Sequence, residues 1–544
     1  MSPRARVAVQ SLAGAAAMIT VVTLISRALG FLRWGVQAGQ VGSDNPVAEA
    51  YSTANLLPNV LFEVAAGGAL AGAVIPLLAG PIARSSRVEV SRTASALLCW
   101  SLLVLVPLGG LVAVFAGPLV DLVVVAVGGA AVESGTAELA TGFLRVFALQ
   151  IPLYGVGIVM SGVLQAHRRF FWPAAAPMFS SVVVIVAYFV YGSLVGSAPE
   201  TAAEASDTAL AWLAWGTTAG VAAMSLPLVV PAMRTGVRLR PTLRFAPGEA
   251  RRVRALALAG IGGLAAQQVS VVAVMLAANR YGGPGSGTFP VYTYTQAVYW
   301  LPFALLAVPL ATSAFPRIAE RAAADDLPGL GRLFSRTTRT MLTIVAAGVA
   351  GVIAASGAVE AVFATFADGT VSGMGAGLAW MAPGLLGYAL IFHVSRALYS
   401  VDHGRAAVVA TSAGWFVVSI LAFVLPAIVL GDDRNREATL VLLGAANTVG
   451  MTVAAVLLLA AAHRHLGDQA MRGTGRTTVV ITLGGALGAA AGAALNRLVL
   501  PDDASFVGGA LVGLLAGVVG AGIVLAVSWL ADRRALAAVL GGEA

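Results

Sequence analysis

Long apolar runs alternate with short polar connections along the whole of this 544-residue chain. A helix needs about 20 consecutive apolar residues to cross a bilayer. Runs of that kind fall near 8–30, 50–80, 94–120, 139–165, 173–196, 208–233, 253–279, 289–316, 340–366, 373–400, 406–431, 438–462, 477–500 and 505–531. The pattern predicts an all-α polytopic membrane protein with about fourteen transmembrane helices. The longest polar connections, 234–254 and 317–339, are too short to form a soluble domain. Arg4 and Arg6 precede the first run as they would in a signal peptide, but this run outlasts the roughly 7–15 residues of a signal core and ends in arginines, so a retained helix is expected.

The connections carry charge in alternation. One set is basic: Arg84, Arg87 and Arg92; Arg168 and Arg169; seven arginines from Arg234 to Arg254; five from Arg317 to Arg339; Arg405; Arg464, Arg472 and Arg476; then Arg533 and Arg534. The other set is acidic or mixed: Asp44 and Glu49; Asp121, Glu133 and Glu138; Glu200, Glu204 and Asp207; Glu360 and Asp368; Asp432, Asp433 and Glu437; Asp502 and Asp503. Arginine marks the cytoplasmic side of short loops. Both termini are therefore expected inside, in a multi-pass protein of a bacterial cytoplasmic membrane.

Composition agrees with this class: 58% of residues are hydrophobic, only 11% are charged, and the mean hydropathy is +0.88. The net charge of +8 follows from loop topology, and no nucleic-acid partner is expected. Cys99 is the single cysteine, and no Cys/His cluster is present, so no disulfide, metal or cofactor is expected.

An internal repeat refines the architecture. "LLPNVLFEVAAGGALAGAVIPLLAG" from Leu56 has a counterpart in "WLPFALLAVPLATSAFPRIAE" from Trp300, each with Leu-Pro early in a helix and another proline before a basic loop. "GVLQAHRRFFWPAA" from Gly162 likewise resembles "RALYSVDHGRAAVV" from Arg396. Both pairs lie roughly 240 residues apart, as in transporters built from duplicated bundles. The expected organisation is an N-lobe of six helices over 1–240, a C-lobe of six over 241–466, and two further helices with a short tail over 467–544.

Charges inside the spans are the candidates for chemistry, because an arginine at the bilayer centre costs roughly 2.5–3.5 kcal/mol and normally faces a bundle interior or cavity. Arg27, Arg33, Arg145 and Arg396 qualify. Arg33 has the alternative of snorkelling to the headgroups, and Arg145 and Arg396 lie nearer helix ends. Six positions place Arg27 and Arg33 about 120° apart on a straight helix, so a shared target calls for a bend, and Gly30 between them is a candidate hinge. The second helix adds Asn55, Asn59 and Glu63 at spacings of four, a polar stripe on nearly one face. Pro58 is a second candidate hinge, and "AAGGALAGA" from Ala65 permits close packing. Glu63 has two readings: a structural ion pair with Arg27 or Arg33, or competition with an anionic substrate for them.

"SRALGFLRWG" from Ser26, with the Leu-Pro-Asn segment and "GVLQAHRRFFWPAAAP", resembles the MurJ/MviN lipid II flippase family of the multidrug/oligosaccharidyl-lipid/polysaccharide exporter superfamily, over the whole chain. The resemblance implies that Ser26, Arg27, Gly30 and Arg33 match the first-helix motif, whose arginines face a central cationic cavity, and that Leu57, Pro58 and Asn59 match the second. It also implies differences. Family members often carry acidic or basic residues where this chain has Trp34, Phe62, Glu63, Gly67, Gln296 and Ala297, so its cavity is less charged.

The implied partner is lipid II, an undecaprenyl-pyrophosphate-linked disaccharide-pentapeptide, together with membrane lipids and proteins of cell-wall synthesis. A planar guanidinium suits pyrophosphate because it donates paired, charge-assisted hydrogen bonds. Arg27 and Arg33 are expected to hold the pyrophosphate during alternating access, with Gly30 and Pro58 as hinges. Two other readings remain open: an exporter of another polyprenyl-linked glycan, and a non-transporting scaffold for cell-wall synthesis. An enzyme is not expected, since His167, His393, His403, His463 and His465 sit mostly at cytoplasmic helix ends and no nucleophile or phosphate-loop motif occurs.

Overall fold

A computed structural model describes residues 3–64, 74, 77–78, 81–82, 84–127, 135–196, 201, 204–245, 249–283, 285–367, 370–501 and 505–532, with side chains from 21 onward and excluding those of 127 and 249–262. The small-residue run from Ala65, Gly67, and the loop charges Glu133, Glu200, Asp368, Asp502, Asp503, Arg533 and Arg534 lie outside the described residues, as do the side chains of Arg4 and Arg6.

The described residues are helical, with no strands among them. Among the described residues, ten helices are long and apolar enough to span a membrane, or eleven if Met374–Met381 and Gly384–Ser400, bent by 43°, form one span. The expected count of fourteen is not reached. The three remaining segments fall on Pro3–Gln40, Pro46–Phe62 and Glu249–Gly282, parts of which extend into the undescribed residues or side chains.

The chain divides into two compact units, Met1–Gln268 and Val269–Ala544. In the first, α1 (Pro3–Gln40) packs along α7 (Phe171–Val195), which packs on α8 (Asp207–Ser225). The helix α2 (Pro46–Phe62) lies against α5 (Thr136–Phe147), and α3 (Arg87–Val114) lies against α6 (Gln150–Ala166), with the short α4 (Ala116–Val127) between α3 and α5 in sequence. Asn45 starts α2: its side chain accepts from the Ala48 N–H, and Pro46 occupies the first turn, where a missing N–H costs nothing. An aromatic core forms where α2, α5 and α7 meet, with the Tyr51 ring edge-on to Phe143 and Phe147 at 5.8 and 5.6 Å.

After α9 (Glu249–Gly282), the second unit contains α10 (Thr288–Pro302), a π-turn at Phe303–Ala307, and α11 (Val308–Ala323). There follow α12 (Leu327–Phe366), α13 (Met374–Met381), α14 (Gly384–Ser400), α15 (Gly404–Val429), α16 (Arg436–Leu466), α17 (Thr474–Val499) and α18 (Phe506–Ala531). The last two pack on each other and on α12. Lipid offers little hydrophobic drive for such association, so close backbone approach does the work. A Cβ at Gly488 would lie 2.4 Å from the Gly520 carbonyl oxygen, and one at Gly492 would lie 2.1 Å from the Ala354 Cβ.

The backbone carries the internal repeat. Among the described residues, the non-glycine positions with left-handed φ are Ser85 (+53°), Arg168 (+57°), Asp325 (+52°) and Asp402 (+60°). They form two pairs, Ser85 with Asp325 and Arg168 with Asp402, at the offset of roughly 240 residues seen in the sequence. Each residue turns the chain within a basic connection. A π-turn also follows the shared proline in both copies, at Glu63–Val64 after Pro58 and at Phe303–Ala307 after Pro302. The Leu-Pro of the second copy is at the end of α10, midway along the continuous span Thr288–Ala323 rather than early in a helix.

Candidate functional site

In α1 helical hydrogen bonding continues through Gly30, and a Cβ there would meet nothing within 4 Å. The glycine therefore serves no packing contact. Ser26, Val36, Gln37 and Ala38 are buried, Arg27 is exposed and Arg33 is half-buried. The Arg33 guanidinium lies over the Trp34 ring, 4.6 Å from its centroid. A ring face positions a cation without neutralising it. Trp34 thus does for Arg33 what a carboxylate would do, while leaving its charge free for an anion.

The polar stripe of α2 is only partly open. Asn59 folds its amide back, its Nδ2 donating to the Asn55 carbonyl at 2.7 Å, while its Oδ1 accepts from the Tyr154 hydroxyl at 3.1 Å. Tyr154 also reaches Gln150 Oε1 at 3.4 Å, and Gln150 Nε2 donates to Thr218 at 3.3 Å. The Phe62 ring leans on Tyr154 at 4.3 Å. Asn59 and Phe62 of α2 thus both contact one buried tyrosine, with Asn55 one turn from Asn59 and Pro58 buried within α2.

Glu63 is exposed at the π-turn, and among the described residues it forms no ion pair with Arg27 or Arg33. A second network backs the first: Tyr51 Oη is 2.9 Å from Tyr188 Oη and 3.0 Å from Thr217 Oγ1, and Tyr188 donates to Gln37 Oε1 at 3.0 Å. These buried hydroxyls and amides satisfy one another, as groups in a low-dielectric interior must.

Two expected residues stand apart. Arg145 is exposed in the last turn of α5. Arg396 belongs to the second unit, where Phe392 faces its guanidinium at 3.9 Å and Thr312 Oγ1 accepts from it at 3.4 Å. His393, one turn earlier, is buried inside α14 rather than at a helix end, bonded to Thr337 at 3.2 Å and stacked on Phe334. Sequence reasoning missed Tyr154, Gln150, Tyr51, Tyr188 and Gln37. The two glutamines carried a signal, since an amide within an apolar span needs a partner.

A family model described as "Lipid II flippase MurJ" matches residues 41–502. The chain belongs to the lipid II flippase MurJ family. A probable lipid II flippase MurJ from Rhizobium meliloti (strain 1021) is 27% identical over 322 residues, 58% of this chain and 56% of that one. A lipid II flippase MurJ from Burkholderia cenocepacia is 27% identical over 317 residues, 56% of this chain and 57% of that one. The chain thus spans little more than half the length of these relatives. The fold is similar to a lipid II flippase MurJ in an inward closed conformation, at 18% identity and TM-score 0.67, covering 95% of this chain and 98% of that one. It is also similar to an inward-facing MATE family transporter of the MOP superfamily, at 16% identity and TM-score 0.63, covering 81% and 97%. Both likenesses are of fold.

Proposed function

We propose that the chain is a flippase that moves lipid II from the inner to the outer leaflet of a bacterial cytoplasmic membrane by alternating access. The observation that carries this reading is Arg33: a guanidinium in α1 of a MurJ-family chain, lying over the Trp34 ring and lacking a carboxylate partner among the described residues. The polar head of lipid II cannot cross about 30 Å of hydrocarbon unaided. Arg33 and Arg27 donate to its pyrophosphate, and Asn59, held by Tyr154, supplies a neutral polar wall. Glu63 competes for the arginines when the phosphate leaves. Asn55, Arg145 and Arg396 are further contacts for the head. Gly30 and Pro58 let α1 and α2 bend between states. The lobes are 1–240 and 241–466, followed by the helices of 467–544, with both termini cytoplasmic, and the cycle makes and breaks no covalent bond.

Binding of lipid II to the purified full chain tests the site. Arg33→Ala and Arg27→Ala are expected to weaken it by at least about tenfold each, the loss of a charge-assisted bond pair being worth roughly 1.5–3 kcal/mol. Unchanged binding by both variants contradicts the assignment.

A further inference from the structure

At the end of the second unit where α12 and α17 begin and α18 finishes, a cavity of about 830 Å³ is lined by Arg332, Arg336, Arg339, Arg472, Arg476 and Asp532. Its floor is built. Arg339 pairs with Asp532, their side chains only 15% and 4% exposed, and both bond Thr477, so one buried cluster ties all three helices together. Ser335 Oγ donates to the Arg472 carbonyl at 2.6 Å and holds the neighbouring turn. Gly473 completes that turn at φ +81°, where a Cβ would lie 2.9 Å from the Arg339 guanidinium. Among the described residues, the one carboxylate on the wall is thus paired with Arg339. Among the described residues, Arg332, Arg336, Arg472 and Arg476 form no ion pair.

Four guanidinium groups without an ion-paired carboxylate among the described residues, one of them, Arg476, donating to the Ala531 carbonyl, set like charge around one cavity, an arrangement that a bound anion relieves. The surroundings indicate its other half. Immediately beyond Arg476, α17 presents Val479, Leu483 and Leu487 in a stripe at helical spacing, 59–60% exposed, and Leu530 on the cavity rim is 75% exposed. The basic connections place this end at the cytoplasmic surface, at headgroup depth. We infer that the cavity binds the phosphate headgroup of an anionic phospholipid of the inner leaflet, with its acyl chains along the exposed stripe of α17. Basic pockets between membrane helices on this side recognise such headgroups. The site is independent of the lipid II reading and stands or falls apart from it.

The test is thermal unfolding of the purified full chain in neutral detergent, titrated separately with phosphatidylglycerol, phosphatidylcholine and inorganic phosphate. Phosphatidylglycerol is expected to raise the melting temperature saturably, and the other two are not. Arg472→Gln with Arg476→Gln should weaken the apparent affinity by roughly 30-fold, while Arg464→Gln, outside the cavity, leaves it unchanged. Should that pair not fold, Arg332→Gln with Arg336→Gln carries the same expectation. Equal stabilisation by inorganic phosphate overturns the lipid assignment in favour of a free-anion site. Phosphatidylglycerol binding that survives folded cavity variants overturns the site itself.

Discussion

Trp34 determines how Arg33 offers its charge. Replacing the ring by Trp34→Ala removes a contact worth about 0.5–1 kcal/mol, and lipid II affinity is expected to fall a few-fold in a binding titration, less than for Arg33→Ala. Tyr154→Phe keeps the ring against Phe62 but deletes the hydroxyl that orients Asn59. At about 1 kcal/mol for one hydrogen bond, it should weaken lipid II binding about fivefold. Gly30→Ala tests the hinge: with open space around the residue, it should stabilise the helix by about 0.5–1 kcal/mol. It should slow lipid II translocation in reconstituted vesicles without weakening binding, and an unchanged rate would remove Gly30 from the mechanism. Arg33 and Glu63 were legible in the sequence because charge in an apolar span stands out. Tyr154 was not, because tyrosine is unremarkable in such helices and its partner Asn59 lies 95 residues away.

At the level of elements, the left-handed turns are tied to the duplication. Arg168 and Asp402 hold equivalent places in the two copies, but aspartate tolerates αL better than arginine. Arg168→Gly should therefore stabilise the protein by about 1 kcal/mol, and Asp402→Gly by less, as read by thermal unfolding in one detergent. The buried Arg339–Asp532 pair makes the opposite prediction. Asp532→Ala leaves a buried guanidinium without its partner and should cost about 3–5 kcal/mol. Apart from 253–279, the spans after residue 87 were readable from hydropathy, because backbone groups in lipid must be satisfied within a helix. The π-turns after Pro58 and Pro302 were not, since a proline in a span announces a disturbance without specifying its form.

For the whole molecule, the repeat of roughly 240 residues, the helical units and the family membership agree on a polytopic membrane protein of the MurJ family, and the proposed anionic cargo rests on the arginines of α1. Hydropathy and loop charge made the membrane class legible because they act over many residues at once, and two pairs of similar segments at one offset made the duplication legible. The charge of the cargo rests on two side chains, so it needs direct measurement. The decisive quantity is the fraction of lipid II exposed on the outer leaflet of cells depleted of this protein and then supplied with wild type, Arg27→Ala or Arg33→Ala. The account predicts that exposure collapses on depletion, returns with wild type, and stays low with either variant made at normal levels. Exposure that persists on depletion, or that both variants restore, would contradict it.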